Sequence, residues 1–133
     1  MTIYQGNAHV YGNNLVPLGY SESDGTVSAA NFVLAEIDPE FAGRVKTGDI
    51  LVAGENFGGE ADSAEALKSA GIAAIVATSF TPQFLRSAKR AGMPVFVIED
   101  HRTEMEDPIT IDTERGLLTN GVTGHQAHLT LPK

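Results

Sequence analysis

Three runs decide the fold: Gly48-Asp49-Ile50-Leu51-Val52-Ala53-Gly54, then Gly71-Ile72-Ala73-Ala74-Ile75-Val76-Ala77, then Gly92-Met93-Pro94-Val95-Phe96-Val97-Ile98. Once Gly48-Asp49 has opened the first, each is continuously apolar rather than alternating, as expected of a strand buried on both faces. Between the first two, residues 60–70 carry Ala61, Ala64 and Leu67 at helical spacing, with Gly71 as the stop. Between the second and third, Ser79 or Thr81 can cap a helix with Pro82 in its first turn. That helix turns Phe84, Leu85 and Ala88 inward, carries Arg86, Lys89 and Arg90 near its end, and stops at Gly92. Strand–helix–strand–helix–strand over 49–98 predicts a right-handed parallel α/β unit.

Working outward, a first strand is expected over 7–11, closed by Gly12-Asn13-Asn14. Residues 15–26 suit a loop, and 31–41 suit either a short helix or a strand with a helical turn. Downstream, residues 109–113 alternate, Glu114-Arg115-Gly116 turns the chain, and Leu117-Leu118 returns it, which is a hairpin pattern. Asn120-Gly121 and Gly124 then lead into 126–131, where Ala127, Leu129 and Leu131 share a face. The expected fold class is α/β with added antiparallel strands, in one domain over 1–133.

Composition narrows the function. A chain of 133 residues with 42% hydrophobic content is long enough for one core without staples. Seventeen acidic against nine basic residues give a net charge of −8, which argues against nucleic acid and anionic membranes as partners. With no cysteine, there is no disulfide, no thiol nucleophile and no thiolate ligand for a metal cluster. The first residues lack a charged and apolar leader pattern, and no apolar run approaches a membrane span, so a cytoplasmic location is expected.

Candidate chemistry concentrates after the first buried strand. Asn56-Phe57-Gly58-Gly59 leads into a helix start, where outward amides can hold an anion. The structural alternative is a tight turn, with Glu60 and Asp62 answering the helix dipole. Glu60 and Asp62 are also candidate general acid/base groups, and Ser63 is a candidate base that would otherwise act as a cap. His125 and His128 fall on opposite faces if that stretch is a strand, which disfavours a metal site. His101 with Glu99, Asp100 and Glu104 reads as an acidic surface loop.

The run over 48–58 resembles the small subunit of 3-isopropylmalate dehydratase, the swivelling domain of the aconitase superfamily. Ala66-Leu67-Lys68-Ser69-Ala70-Gly71-Ile72, Ser79-Phe80 and Gly92-Met93-Pro94-Val95 continue the resemblance in order. Ile37-Asp38-Pro39-Glu40-Phe41 is similar to the family's approach to the strand, and 109–131 to its closing hairpins. The resemblance implies a swivelling β/β/α domain with a parallel core sheet. It also implies a job: to close over a large subunit that holds an iron–sulfur (4Fe–4S) cluster and help move water across a hydroxy-diacid. This chain would itself carry no cofactor and no metal.

The resemblance places Asn13, Asn14, Asn56, Phe57, Gly58, Gly59, Ser79 and Phe80 against the substrate, and Ser63, Asp62 and Glu60 in the catalytic segment. Three segments depart from the family. Where the family continues Asn-Phe-Gly with Cys-Gly-Ser-Ser-Arg-Glu-His, this chain has the shorter Gly59-Glu60-Ala61-Asp62-Ser63-Ala64-Glu65, and no arginine lies between Arg44 and Arg86. Asn13-Asn14 runs straight into Leu15-Val16-Pro17 without the family's aspartates, and Thr81-Pro82 replaces Ala-Arg. A cationic diacid pocket has become neutral or acidic. Two readings follow. The chain is either a divergent small subunit, serving a large subunit on a less charged substrate, or a stand-alone domain. The latter, most simply a homodimer, would bind a small molecule or act as a cofactor-free lyase, isomerase or cyclase.

Overall fold

The strands are β1 (Ile3–Val10), β2 (Ile50–Val52), β3 (Ala74–Ala77), β4 (Val95–Val97), β5 (Pro108–Asp112), β6 (Leu117–Asn120) and β7 (Gln126–His128). In this computed structural model residues 3–12, 45–57, 64, 67, 68, 71–99 and 103–131 are described. The seven strands among the described residues form one sheet in the order β4-β3-β2-β1-β5-β6-β7. Pairing is parallel from β4 to β1 and antiparallel from β1 to β7. The α/β expectation with added antiparallel strands therefore matches the architecture. The reading of 31–41 lies outside the described residues.

β1 belongs to both halves, which explains why it is longer than the expected 7–11. Its residues Ala8, His9 and Val10 pair in parallel with Ile50, Leu51 and Val52, while Ile3 through Asn7 pair antiparallel with Asp112 through Pro108. The antiparallel part has no fully buried residue, so no apolar run marks it in the sequence.

Why β2 and β3 are apolar throughout is now visible. One face of these strands packs Leu51, Ala53, Ile75 and Ala77 against Ala64, Leu67, Phe84 and Ala88 of the helical layer. The other packs Ile50, Val52, Ala74 and Val76 against Ile109, Ile111, Leu118 and Leu129 of the antiparallel half. The sheet curls over this second cluster until its two outer margins meet: Val97 N–H donates to Thr130 O at 2.7 Å, and Thr130 N–H to Val97 O at 3.0 Å. Each fully buried Ile, Leu or Val is worth about 1.5–3 kcal/mol.

The helix α1 (Pro82–Ala91) follows its sequence signals closely. Thr81 caps it, accepting the Phe84 N–H at 3.2 Å; Pro82 opens it; Gly92, at φ 71°, closes it, with Lys89 and Arg90 in the last turn. Its buried residues are Phe84, Ser87 and Ala88; Leu85 is half-buried, so the expected inward leucine gives way to a serine. Among the described residues, no helix is long and apolar enough to cross a membrane.

Candidate functional site

In a parallel sheet every carboxyl end points to one edge, and loops leaving that edge converge. Here the segments that follow β1, β2 and β3 are laced together by backbone bonds. Gly54 N–H donates to Gly12 O at 3.1 Å, and Thr78 N–H donates to Gly54 O at 3.1 Å. Phe57 then bridges to the chain after β3: its N–H donates to Ser79 O and its carbonyl accepts Thr81 N–H, both at 2.9 Å. Ser79 closes the arrangement, its hydroxyl oxygen accepting the Asn56 N–H at 2.8 Å.

Asn56 sits at φ 59°, the left-handed region that asparagine tolerates better than most residues. That turn throws the chain from β2 back towards Ser79. Below it lies an aromatic floor. The Phe57 ring meets Phe80 and Phe84 edge-on, at centroid distances of 5.8 and 4.9 Å, and Phe80 stacks over Phe84 at 5.9 Å. Phe57 has no exposed surface, Phe80 is half-buried, and Asn56 and Ser79 are exposed. Phe57 thus meets a ligand only through what it positions, while Asn56, Ser79 and Phe80 form the accessible rim. Among Gly12, Gly54–Phe57 and Thr78–Thr81, Glu55 is the one charged side chain.

The structure therefore brings together Asn56, Phe57, Ser79 and Phe80. Asn13, Asn14, Gly58, Gly59, Glu60, Asp62 and Ser63 lie outside the described residues.

A buried ionisable pair escaped the sequence reading. His9 Nε2 lies 2.7 Å from Asp49 Oδ2, and Asp49 also accepts the Lys46 N–H at 3.0 Å and the Asn7 N–H at 3.2 Å. The available signal was an aspartate opening a buried strand opposite a lone polar residue between Ala8 and Val10. Asp49 stands at the amino end of β2, away from the rim, and ties β1 to the turn before β2. Its job is architectural.

His125 and His128 both line a cavity of about 510 Å³ between the outer strands, with Val97, Ile98, Glu99, Gln126, Ala127 and Thr130. His125 precedes β7 and His128 is its last residue. This cavity is at the seam of the curled sheet and not at the laced rim. Among the described residues no group of three or more His, Asp or Glu side chains is arranged to hold a metal ion. A chain without cysteine also offers no thiolate to an iron–sulfur cluster.

No family model matches the chain. It is 35% identical over 133 residues to the 3-isopropylmalate dehydratase small subunit of Nautilia profundicola, covering 93% of this chain and 80% of that protein. It is also 35% identical, over 128 residues, to the small subunit of the same name from Moorella thermoacetica, covering 89% of this chain and 77% of the other. A crystal structure of a 3-isopropylmalate dehydratase from Methanocaldococcus jannaschii superposes with a TM-score of 0.91 at 28% identity, over 99% of this chain and 84% of that one.

Proposed function

This chain belongs to the 3-isopropylmalate dehydratase small-subunit family, and on that premise we propose that it works as a single swivelling domain on a separate large subunit. Together the two complete a lyase or isomerase site for a small hydroxy acid, with the iron–sulfur cluster held by the large subunit. In this reading Asn13, Asn14, Asn56, Gly58, Gly59, Ser79 and Phe80 face the substrate. Phe57 fixes the turn beneath them, and Ser63, Asp62 and Glu60 supply the proton-transfer groups.

The observation that carries the finer point is the charge of the rim. Its described part bears Glu55 and no cation, and the segment from 45 to 85 contains no arginine. A second substrate carboxylate beside such a group meets like charge: at about 4 Å and an effective dielectric near 20 the repulsion is roughly 4 kcal/mol. The end of the substrate that this chain contacts is therefore proposed to be uncharged. Lysines placed beyond the rim cannot substitute for a bidentate guanidinium at that position.

The test is a turnover assay on the chain alone and on its mixture with a large subunit of the same family, using isopropylmalate and mono-acid analogues. The expected result is no turnover from the isolated chain, and hydration by the complex that favours the mono-acid. Robust activity from the isolated chain, or failure to form a complex at micromolar concentrations, overturns the proposal in favour of the stand-alone reading.

A further inference from the structure

We propose that Met105 is an oxidation site, and that its conversion to the sulfoxide releases the end of β1 on which the rim rests. β5 begins opposite Asn7, so the backbone groups of β1 beyond that point need other partners on the side away from β2. The chain before β5 supplies them in turn. Asp107 O accepts the Ala8 N–H at 2.8 Å, and Glu106, at φ 67°, donates its N–H to Ala8 O at 2.6 Å. Two residues on, Val10 N–H faces the same side, and there it donates to Met105 Sδ at 3.4 Å. A thioether is a weak acceptor, so the last residue of β1 is held on this side by a weak bond to a reactive atom.

Exposure separates this sulfur from that of the core methionine. Met105 is 39% exposed and Met93 is 5% exposed, so an oxidant in water reaches the first and is kept from the second. With hydrogen peroxide the step balances. A sulfur lone pair attacks one peroxide oxygen, the S–O bond forms as the O–O bond breaks, and the proton of the transferred hydroxyl goes to the departing hydroxide. One sulfoxide and one water result; the sulfur gives up two electrons and the peroxide takes them. The new oxygen stands on the atom that received the Val10 N–H, and it turns a flexible apolar side chain into a polar one. Already at the surface, the sulfoxide swings into water and leaves the Val10 N–H to solvent.

The next two residues carry the effect to the rim. Tyr11 donates its N–H to Val52 O at 2.8 Å, and Gly12 O accepts the Gly54 N–H at 3.1 Å. Gly54 O in turn accepts the Thr78 N–H at 3.1 Å, which ties in the third loop. With Met105 turned away, β1 loses its contact at Val10 on the side opposite β2. Strand ends open locally at far less cost than the whole fold, so the loss frays Val10 to Gly12 while the buried strands stay paired. The Gly12–Gly54 contact, which joins the first two loops of the rim, then opens more often.

The experiment treats the full chain with hydrogen peroxide and follows it by peptide mass spectrometry and residue-resolved amide hydrogen exchange. Met105 should oxidise at least about tenfold faster than Met93. Oxidation at Met105 should speed exchange about tenfold at the Val10 amide and about threefold at the Gly54 amide, with the Leu118 amide on β6 unchanged. Methionine sulfoxide reductase should return both amides to their original rates. Met105→Leu keeps the bulk without the sulfur; its Val10 amide should exchange fast from the start and ignore peroxide. Should Met105→Leu fold poorly, the reversal by the reductase on the wild type decides. Equal oxidation of Met105 and Met93, a Val10 amide unmoved by oxidation, or a peroxide response that survives in Met105→Leu overturns the proposal. A change at Val10 with none at Gly54 overturns its reach to the rim. None of these readouts depends on a large subunit or on turnover.

Discussion

The parallel and antiparallel halves of the sheet are held by different means. In the parallel half, β2 and β3 are buried at every residue, and the backbone groups beyond their carboxyl ends bond to one another across three loops. In the antiparallel half, β5 and β6 alternate between buried and partly exposed positions, and their turns are closed by nearby side chains. Asp112 Oδ1 accepts the N–H groups of Glu114 and Arg115 at 3.0 and 3.1 Å; Asn120 Oδ1 accepts those of Val122 and Thr123 at 2.7 and 3.2 Å. The first half builds a rim from residues far apart in sequence; the second builds a wall from residues close together. A site assembled at the ends of buried strands can vary its loops while the strands stay fixed, and the wall need only close the core.

Mutations can test that division. Phe57→Ala should have the largest effect, because it empties the centre of the aromatic floor where the ring has no exposed surface. A loss of about 3–5 kcal/mol is expected in urea unfolding, with the rim disordered before the wall. If hydrogen exchange at Leu118 rises as early as at Phe80, the two halves are one cooperative unit and the comparison fails.

Gly6→Ala comes next. It sits on the shared strand, and a Cβ there would lie 2.3 Å from the Gly48 carbonyl oxygen and under 3 Å from two more backbone atoms. Backbone cannot yield as a side chain can, so a loss of about 2–3 kcal/mol is expected, read as a lowered urea midpoint. Both halves should weaken together, since β1 pairs with each.

Asn120→Ala should act within the wall. Asn120 has no exposed surface; its amide donates to Asp107 Oδ2 at 2.9 Å while its carbonyl takes the two turn amides. Its loss should cost about 1–3 kcal/mol and speed exchange in the turn, leaving the Asn56–Ser79 contact intact.

The smallest effect is pH-dependent. The Asn120 amide and the Glu104 N–H, both donating to Asp107, hold its carboxyl below the ordinary aspartate range. A carboxylate with a lowered folded-state pKa contributes stability above its unfolded pKa and loses it as pH falls through the folded value. The urea midpoint of the protein should exceed that of Asp107→Asn at neutral pH, and the gap should close below about pH 4. A gap that persists at pH 2 would assign the difference to hydrogen-bond geometry rather than charge.

Much of this was legible in the chain itself, and where it was not the reason is identifiable. Local rules sufficed for α1, since Thr81, Pro82 and Gly92 act within one turn of their own positions. They sufficed too for the hairpin at Asp112–Gly116 and for the continuous apolar strands, whose periodicity reports burial on two faces. The antiparallel part of β1 was invisible, because its residues are half-exposed and its strand character comes from β5, about a hundred positions away. No local pattern marks Ser87 as inward, and only the packing of a second helical segment makes it an acceptor for Ala64. The same holds for His9 and Asp49, and for Asn56, whose amide reaches Ser79. Sequence by itself therefore determined the continuous apolar strands, α1, the closing hairpin, the family and the missing arginine, because each depends on residue identity or on neighbours within a few positions. Tertiary structure alone decided the curl of the sheet, the meeting of Val97 with Thr130 and the lacing of the rim. Those are contacts between segments that no local period encodes, and they form only once burial of both sheet faces has brought the strand ends together.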